Sequence, residues 1–251
     1  MKLGKYKNMS VRTNLLISLR KIDELSEEIV NEADILDLKD PLNGSIGAWD
    51  LQDIKKVICK FKNQIQISAT LGDIFINDRF LIKLKQFDKL NLDYIKFGLL
   101  SKNLKNLFDK IKFLEERKFK TKLVCVVFVD ICDHLKLVYK RLDLFDACGI
   151  KYIMLDTYDK NNGDLLSFCN ISNLDKFISK CKKFDIKIGL AGSLKETHIP
   201  LMMKLKPNIL GFRSAICKFN KRMSEVDTRK LKKISRHFNL CNNKAIETAG
   251  A

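Results

Sequence analysis

The stretch ADILDLKDPLNGSIGAW, residues 33–49, decides how the chain is read. Ile35 to Leu38 form a short apolar run that ends in charge at Lys39 and Asp40. Pro41, Asn43, Gly44 and Gly47 then mark a loop. The pattern predicts a strand that delivers an acid and an amine to a loop. Side chains alternate along a strand with a period of two, so Ile35, Asp37 and Lys39 share one face and Leu36 and Leu38 the other. An acid and a lysine on one face of an apolar strand are costly to bury unless they are paired or used. A satisfied ion pair and a catalytic pair both meet that cost.

Outward from this stretch the same unit recurs. Further strands are predicted over Leu15–Leu19, Ile65–Thr70, Tyr94–Phe97, Leu123–Val129, Tyr152–Asp156, Lys187–Ala191 and Ile209–Phe212. Between them lie apolar stripes at helical spacing. Examples are Ile22, Leu25 and Ile29; Leu51, Ile54, Val57, Ile58 and Phe61; and Phe80, Leu84 and Phe87. Leu104, Leu107, Phe108 and Ile111 make another, as do Val138, Leu142 and Phe145. Ser172 reads as the N-cap of the helix carrying Leu174, Phe177, Ile178 and Cys181. A short helix near Pro200 and a closing helix with Leu231, Ile234 and Phe238 complete the series. Eight alternations with short connections imply a parallel sheet. In 251 residues the expected fold is α/β, a single-domain (β/α)8 TIM barrel. An open doubly wound sheet is the alternative, but no GxGxxG follows the first strand. The expected divisions are an N-terminal extension (1–14), the barrel (15–240) and a C-terminal tail (241–251) that frays from about Asn242.

With 46% hydrophobic residues, global disorder is excluded as a description. No apolar run is long enough to span a membrane, and the basic N-terminus lacks the apolar core of a secretory signal. The eight cysteines form no CxxC pair and no Cys/His cluster of metal-ligand spacing. Several, such as Cys125 and Cys148, sit in apolar contexts, as reduced thiols in a cytoplasm do. The expectations are therefore a cytoplasmic protein with no metal and no cofactor. The net charge of +17 raises a basic nucleic-acid-binding barrel as a non-enzymatic alternative. The lysines are spread over every predicted helix, however, and no aromatics interleave with arginines. The charge reads as a solvated surface that draws anionic substrates.

In a barrel of this kind the substrate site lies at the C-terminal strand ends. With the apolar faces turned toward the helices, strand two sends Asp37 and Lys39 inward and strand three sends Gln66, Ser68 and Thr70. Strand four sends Tyr94 and Lys96, strands five and six end in Asp130 and Asp156, and strand eight ends in Arg213. Two inward lysines suggest carbonyl chemistry, because burial and a second nearby cation favour the neutral amine that attacks a carbonyl. Ala191-Gly192-Ser193 and Arg213-Ser214-Ala215 follow strands seven and eight, the usual phosphate site of such barrels. Gly192 allows close backbone approach, and an arginine can bind phosphate bidentately.

These blocks resemble the (5-formylfuran-3-yl)methyl phosphate synthase family of methanofuran biosynthesis. The likeness rests on ADILDLKDPLNGSIGA (33–48), SATLGD (68–73), DYIKFGL (93–99), MLDT with Lys160 (154–160), LAGSLKETHIP (190–200) and GFRSAICK (211–218). The resemblance implies a (β/α)8 barrel that condenses two molecules of glyceraldehyde 3-phosphate, losing one phosphate and water. It implies Lys39 as the Schiff-base lysine and Lys96 as the proton acceptor, with Asp37, Asp156 and Lys160 at further active-site positions. Ser68, Thr70, Asp130, Gly192, Ser193, Arg213 and Ser214 are the expected substrate- and phosphate-binding residues. The expected partner is a small phosphorylated aldehyde, with neither nucleic acid nor membrane, and homo-oligomers are left open. The chain departs from the family where Ser214, Phe219 and Asn220 follow strand eight in place of glycines, and where Leu19-Arg20 stands in place of a proline. Another lysine-dependent aldolase acting on a sugar phosphate would use the same residues.

Overall fold

The computed structural model describes residues 12–73, 75, 77–100, 111–112, 114 and 119–250, with residues 245–250 described by backbone alone. Eight parallel strands close into a barrel in chain order, each pairing with the next and β1 with β8. They are β1 (Asn14–Leu19), β2 (Ile35–Leu38), β3 (Gln66–Thr70), β4 (Tyr94–Gly98), β5 (Lys122–Phe128), β6 (Tyr152–Asp156), β7 (Lys187–Leu190) and β8 (Ile209–Phe212). The strand period sorts side chains into two cores. Outward residues such as Ile17, Leu36, Leu38, Ile67, Ile95, Phe97 and Leu210 pack against the helices. Inward residues such as Leu16, Ile35, Tyr94, Val124, Val126, Phe128, Met154 and Ile209 fill the barrel below the polar end. Register then aligns the polar rows: Ser18 stands beside Asp37, Asp37 beside Ser68, and Thr70 beside Lys96.

Among the described residues the helices that coat the barrel are α1 (Glu27–Glu32), α2 (Leu51–Phe61), α3 (Asp78–Asp88), α4 (His134–Lys140), α5 (Leu142–Ala147), α6 (Leu165–Phe168), α7 (Ile171–Lys182), α8 (Ile199–Lys204) and α9 (Thr228–Gly250). Phe80 of α3 meets Phe97 of β4 edge to face, with ring centroids 5.5 Å apart. Among the described residues no helix is long and apolar enough to cross a membrane.

Several local expectations change. The stripe of Ile22, Leu25 and Ile29 is a 3-10 turn at Ile22–Glu24 followed by α1, which starts anew under the Ser26 cap. The stripe of Val138, Leu142 and Phe145 is two helices, broken where Arg141 leaves helical geometry (φ −123°, ψ 34°). The cap of α7 is Asn170, whose side chain accepts from the Asn173 N–H at 2.9 Å; Ser172 lies inside the helix. Leu104, Leu107 and Phe108 fall outside the described residues, whereas Ile111 is buried. The predicted fraying at Asn242 is corrected, since α9 continues to Gly250. Asn242 is buried and bonds the Thr13 backbone in both directions, accepting its N–H at 3.2 Å and donating to its carbonyl at 3.0 Å. That exchange ties the last helix to the entry of β1.

Candidate active site

The focal stretch forms β2 followed by a tight loop. Asp40 accepts the Leu42 N–H at 3.0 Å and its own N–H reaches the Gly47 carbonyl at 2.9 Å. A Cβ on Gly47 would stand 2.1 Å from the Asp40 carbonyl, so only glycine fits there. Beyond the loop, the carboxylate of Asp73 holds the Ser45 and Ile46 N–H groups at 2.6 and 2.9 Å. The loop is thereby fixed above the strand ends, and Ile46 packs into the inner core.

Asp37 is fully buried and accepts from Ser18 Oγ at 2.8 Å, Ser68 Oγ at 3.0 Å and Lys96 Nζ at 2.8 Å. Lys39 lies nearer the mouth and donates to Asp156 Oδ2 at 3.2 Å. Lys160 reaches back from the loop after β6 to the other Asp156 oxygen and to both oxygens of Thr157. Three lysines and two carboxylates thus interlock in one cavity with Met154, Gly192, Ser193, Arg213, Ser214 and Arg222. Burial lowers the Lys96 amine below its usual range; Asp37 pulls it up and Lys39 pushes it further down. Burial works against the charge of Asp156, but Lys160 and Lys39 outweigh it and hold the carboxyl well below the usual carboxylate range. Lys160 itself is lowered to about 8, chiefly by burial, with Asp156 opposing and Lys39 and Arg222 assisting.

Four expected binding residues have other duties. Ser68 spends its hydroxyl on Asp37. Thr70 donates to the Leu38 and Gly47 carbonyls at 3.2 and 2.7 Å, bracing the loop after β2. Asp130 accepts the Tyr158 and Asp159 N–H groups at 2.6 and 2.7 Å, which holds the loop that carries Lys160. None of these three lines the cavity. Arg213 does line it, but its guanidinium is taken up in a salt bridge with buried Glu24 and bonds to three carbonyls. Its guanidinium donors are thereby spent within the protein, and no free fork faces the cavity. Gly192, Ser193 and Ser214 do border the cavity, and their N–H groups donate to nothing among the described residues. Sequence reasoning passed over Ser18, Glu24 and Arg222. Ser18 was legible by strand period, as the inward neighbour of Asp37 on β1. Glu24 ends a single 3-10 turn and Arg222 lies in a loop, both too short for periodicity to speak.

An eight-stranded parallel barrel with buried lysine–carboxylate pairs at the C-terminal strand ends defines the class by its fold: a TIM barrel. Solved barrels share the fold. The 3-hexulose-6-phosphate synthase of Salmonella typhimurium superposes with a TM-score of 0.63 at 16% identity, over 91% of this chain and 100% of that one. KGPDC of Streptococcus mutans gives 0.60 at 14% identity, over 92% and 98%. The sequence pattern described as 4-HFC-P synthase matches residues 15–235. The (5-formylfuran-3-yl)methyl phosphate synthase of Methanocaldococcus jannaschii is 30% identical over 222 residues, 81% of this chain and 90% of that protein. The protein of the same name from Archaeoglobus fulgidus is 27% identical over 215 residues, 81% and 90%. The chain belongs to the 4-HFC-P synthase family.

Proposed function

We propose that the protein condenses two molecules of glyceraldehyde 3-phosphate into (5-formylfuran-3-yl)methyl phosphate, with loss of one phosphate and two waters, through an imine on Lys39. The observation that carries this reading is the pairing of two lysines, one just past the end of β2 and one within β4, with separate carboxylates in one cavity. Lys39 attacks a carbonyl only as a neutral amine. Lys160 supports that step, because it remains on Asp156 when Lys39 gives up its proton. Lys96, held low by burial, is suited to accept a proton from the carbon next to the imine and to return it later. The unspent N–H groups of Gly192, Ser193 and Ser214 suit a phosphate at the same rim.

Incubation of purified protein with glyceraldehyde 3-phosphate should give the formylfuran phosphate by mass, with release of one equivalent of inorganic phosphate. A hexose bisphosphate as the sole product would instead mark another lysine-dependent aldolase. Unconsumed substrate would contradict both.

The charge on Lys160 gives the reaction an alkaline limit. Above about pH 8 this lysine loses its proton and Asp156 keeps only Lys39 as cationic partner. A neutral Lys160 no longer balances Asp156 while Lys39 reacts, so kcat/KM should fall with an apparent pKa near 8. Lys160→Arg stays charged and should move the fall to higher pH. A limb that stays in place in that variant assigns it to another group. The same shift has a consequence for stability. Between about 8 and the ordinary lysine value of 10.5 the unfolded chain binds more protons at this site than the folded one, so the contribution of Lys160 to stability rises with pH across that window.

A further inference from the structure

Two arginines stand where β8 ends, and their guanidinium groups are in different states. A guanidinium has five N–H donors. Those of Arg213 are occupied: Nε donates to the Arg222 carbonyl at 2.8 Å, Nη1 to Glu24 Oε2 at 2.6 Å and the Ser18 carbonyl at 3.2 Å, and Nη2 to Glu24 Oε1 at 2.9 Å and the Ser224 carbonyl at 3.0 Å. The Arg222 guanidinium makes one hydrogen bond among the described residues, a long one of 3.4 Å from Nη2 to the Gly44 carbonyl.

The segment that carries Arg222 is a strap closed by a bridge between Cys217 and Val226 and by the Lys218 N–H on the Glu225 carbonyl at 3.0 Å. Phe219 and Asn220 turn it with φ of 57° and 55°, a region costly for a residue as bulky as phenylalanine. Arg213 grips this strap by two of its carbonyls, and Glu24 grips Arg213. The turn and the two grips together fix where the Arg222 side chain is presented.

That place is a passage. The inner cavity around Lys39 and Lys96 measures about 40 Å³, room for a few waters and too little for a triose phosphate. Beside it lies a basin of about 900 Å³. Lys160, Ser193, Ser214 and Arg222 border both. Of the two cations among these, Lys160 is engaged with Asp156 and Thr157. Arg222 is the cation with donors to spare. Lys195, Lys221, Lys230 and Lys233 line the basin beyond it, where Glu196 is paired with Lys233 at 2.8 Å.

We propose that Arg222 binds the phosphate of the substrate at this passage and sets the preference for phosphorylated aldehydes, and that Arg213 and Glu24 are positioning residues that act through it. The inference rests on the reading of a phosphorylated aldehyde whose carbonyl end reaches Lys39. A forked guanidinium and a phosphate pair through two parallel charge-assisted bonds, which a lysine cannot reproduce. The N–H groups of Gly192, Ser193 and Ser214 complete the ring of donors.

The test compares wild type with Arg222→Gln, Arg222→Lys and Glu24→Gln in steady-state kinetics, and in calorimetric titration with inorganic phosphate, which needs no turnover. Arg222→Gln should raise KM for glyceraldehyde 3-phosphate by about 10–100-fold, the value of a charged hydrogen-bonded partner, with the loss in KM exceeding that in kcat. Its phosphate affinity should fall in parallel. Arg222→Lys should recover part of both. Glu24→Gln should raise KM in the same sense, whereas a merely structural Glu24 would lower the melting temperature and leave the KM of the folded fraction unchanged. Phosphate binding that is lost in Arg222→Gln, in a protein that makes no product from glyceraldehyde 3-phosphate, would uphold the anion site and overturn the proposed reaction. Intact turnover with unchanged KM and unchanged phosphate affinity in Arg222→Gln would overturn the anion site and leave the reaction standing.

Discussion

Lys39→Arg is expected to abolish turnover of glyceraldehyde 3-phosphate, by about 10⁴-fold or more, and to abolish trapping of substrate by borohydride. Lys39 directly follows β2, with its side chain close to the mouth, 3.2 Å from Asp156. An arginine there keeps the positive charge and can still bond the carboxylate, so Asp156 is not left as a bare buried anion. The folded cavity should survive. What arginine cannot do is shed its proton and condense with a carbonyl. The variant therefore separates charge from nucleophilicity. Retained turnover in a folded Lys39→Arg protein would mean that the imine forms elsewhere.

Lys96→Ala is expected to abolish turnover while leaving trapping at Lys39 intact. Lys96 is deeper than Lys39, almost wholly buried, and bonded to Asp37 at 2.8 Å. If it moves protons after the imine has formed, its loss stops the sequence with the first substrate already attached. The substitution also carries a stability cost. Asp37 would keep only the hydroxyls of Ser18 and Ser68, and breaking a buried pair by removing one partner costs about 3–5 kcal/mol. The double variant Lys96→Met, Asp37→Asn removes both charges together and should recover most of that stability without recovering turnover. Recovery of turnover in the double variant would show that Lys96 serves only to balance the charge of Asp37.

The contrast between these two lysines and the two arginines shows where the sequence was informative. Ile35–Leu38 is bounded by Asp34 on one side and by Lys39, Asp40 and Pro41 on the other, and the strand it forms has those limits. Period two then placed Asp37, Lys39 and Lys96 inside and Leu36, Leu38, Ile95 and Phe97 outside, because a barrel strand has only two faces. That rule gives a direction but names no partner. Arg213 reads the same whether it meets a phosphate or Glu24, which lies 189 residues away in the chain. The mutual bonds of Asn242 and Thr13, 229 residues apart, were hidden for the same reason. Thr70 and Asp130 share this pattern, since the carbonyls and N–H groups that claim them belong to loops whose paths follow from tertiary packing. Arg222 lies in an irregular strap with positive-φ residues that no period describes. The helix interruption escaped because the apolar stripe of Val138, Leu142 and Phe145 runs on past Arg141, where the backbone leaves the helix.

The central claim is that Lys39 carries the imine, and the most direct measurement is a mass map of the protein after reduction with borohydride in the presence of glyceraldehyde 3-phosphate. The account predicts a single reduced adduct on the peptide that contains Lys39, absent from Lys39→Arg and present in Lys96→Ala. An adduct on Lys96, or trapping that persists in Lys39→Arg, would contradict it.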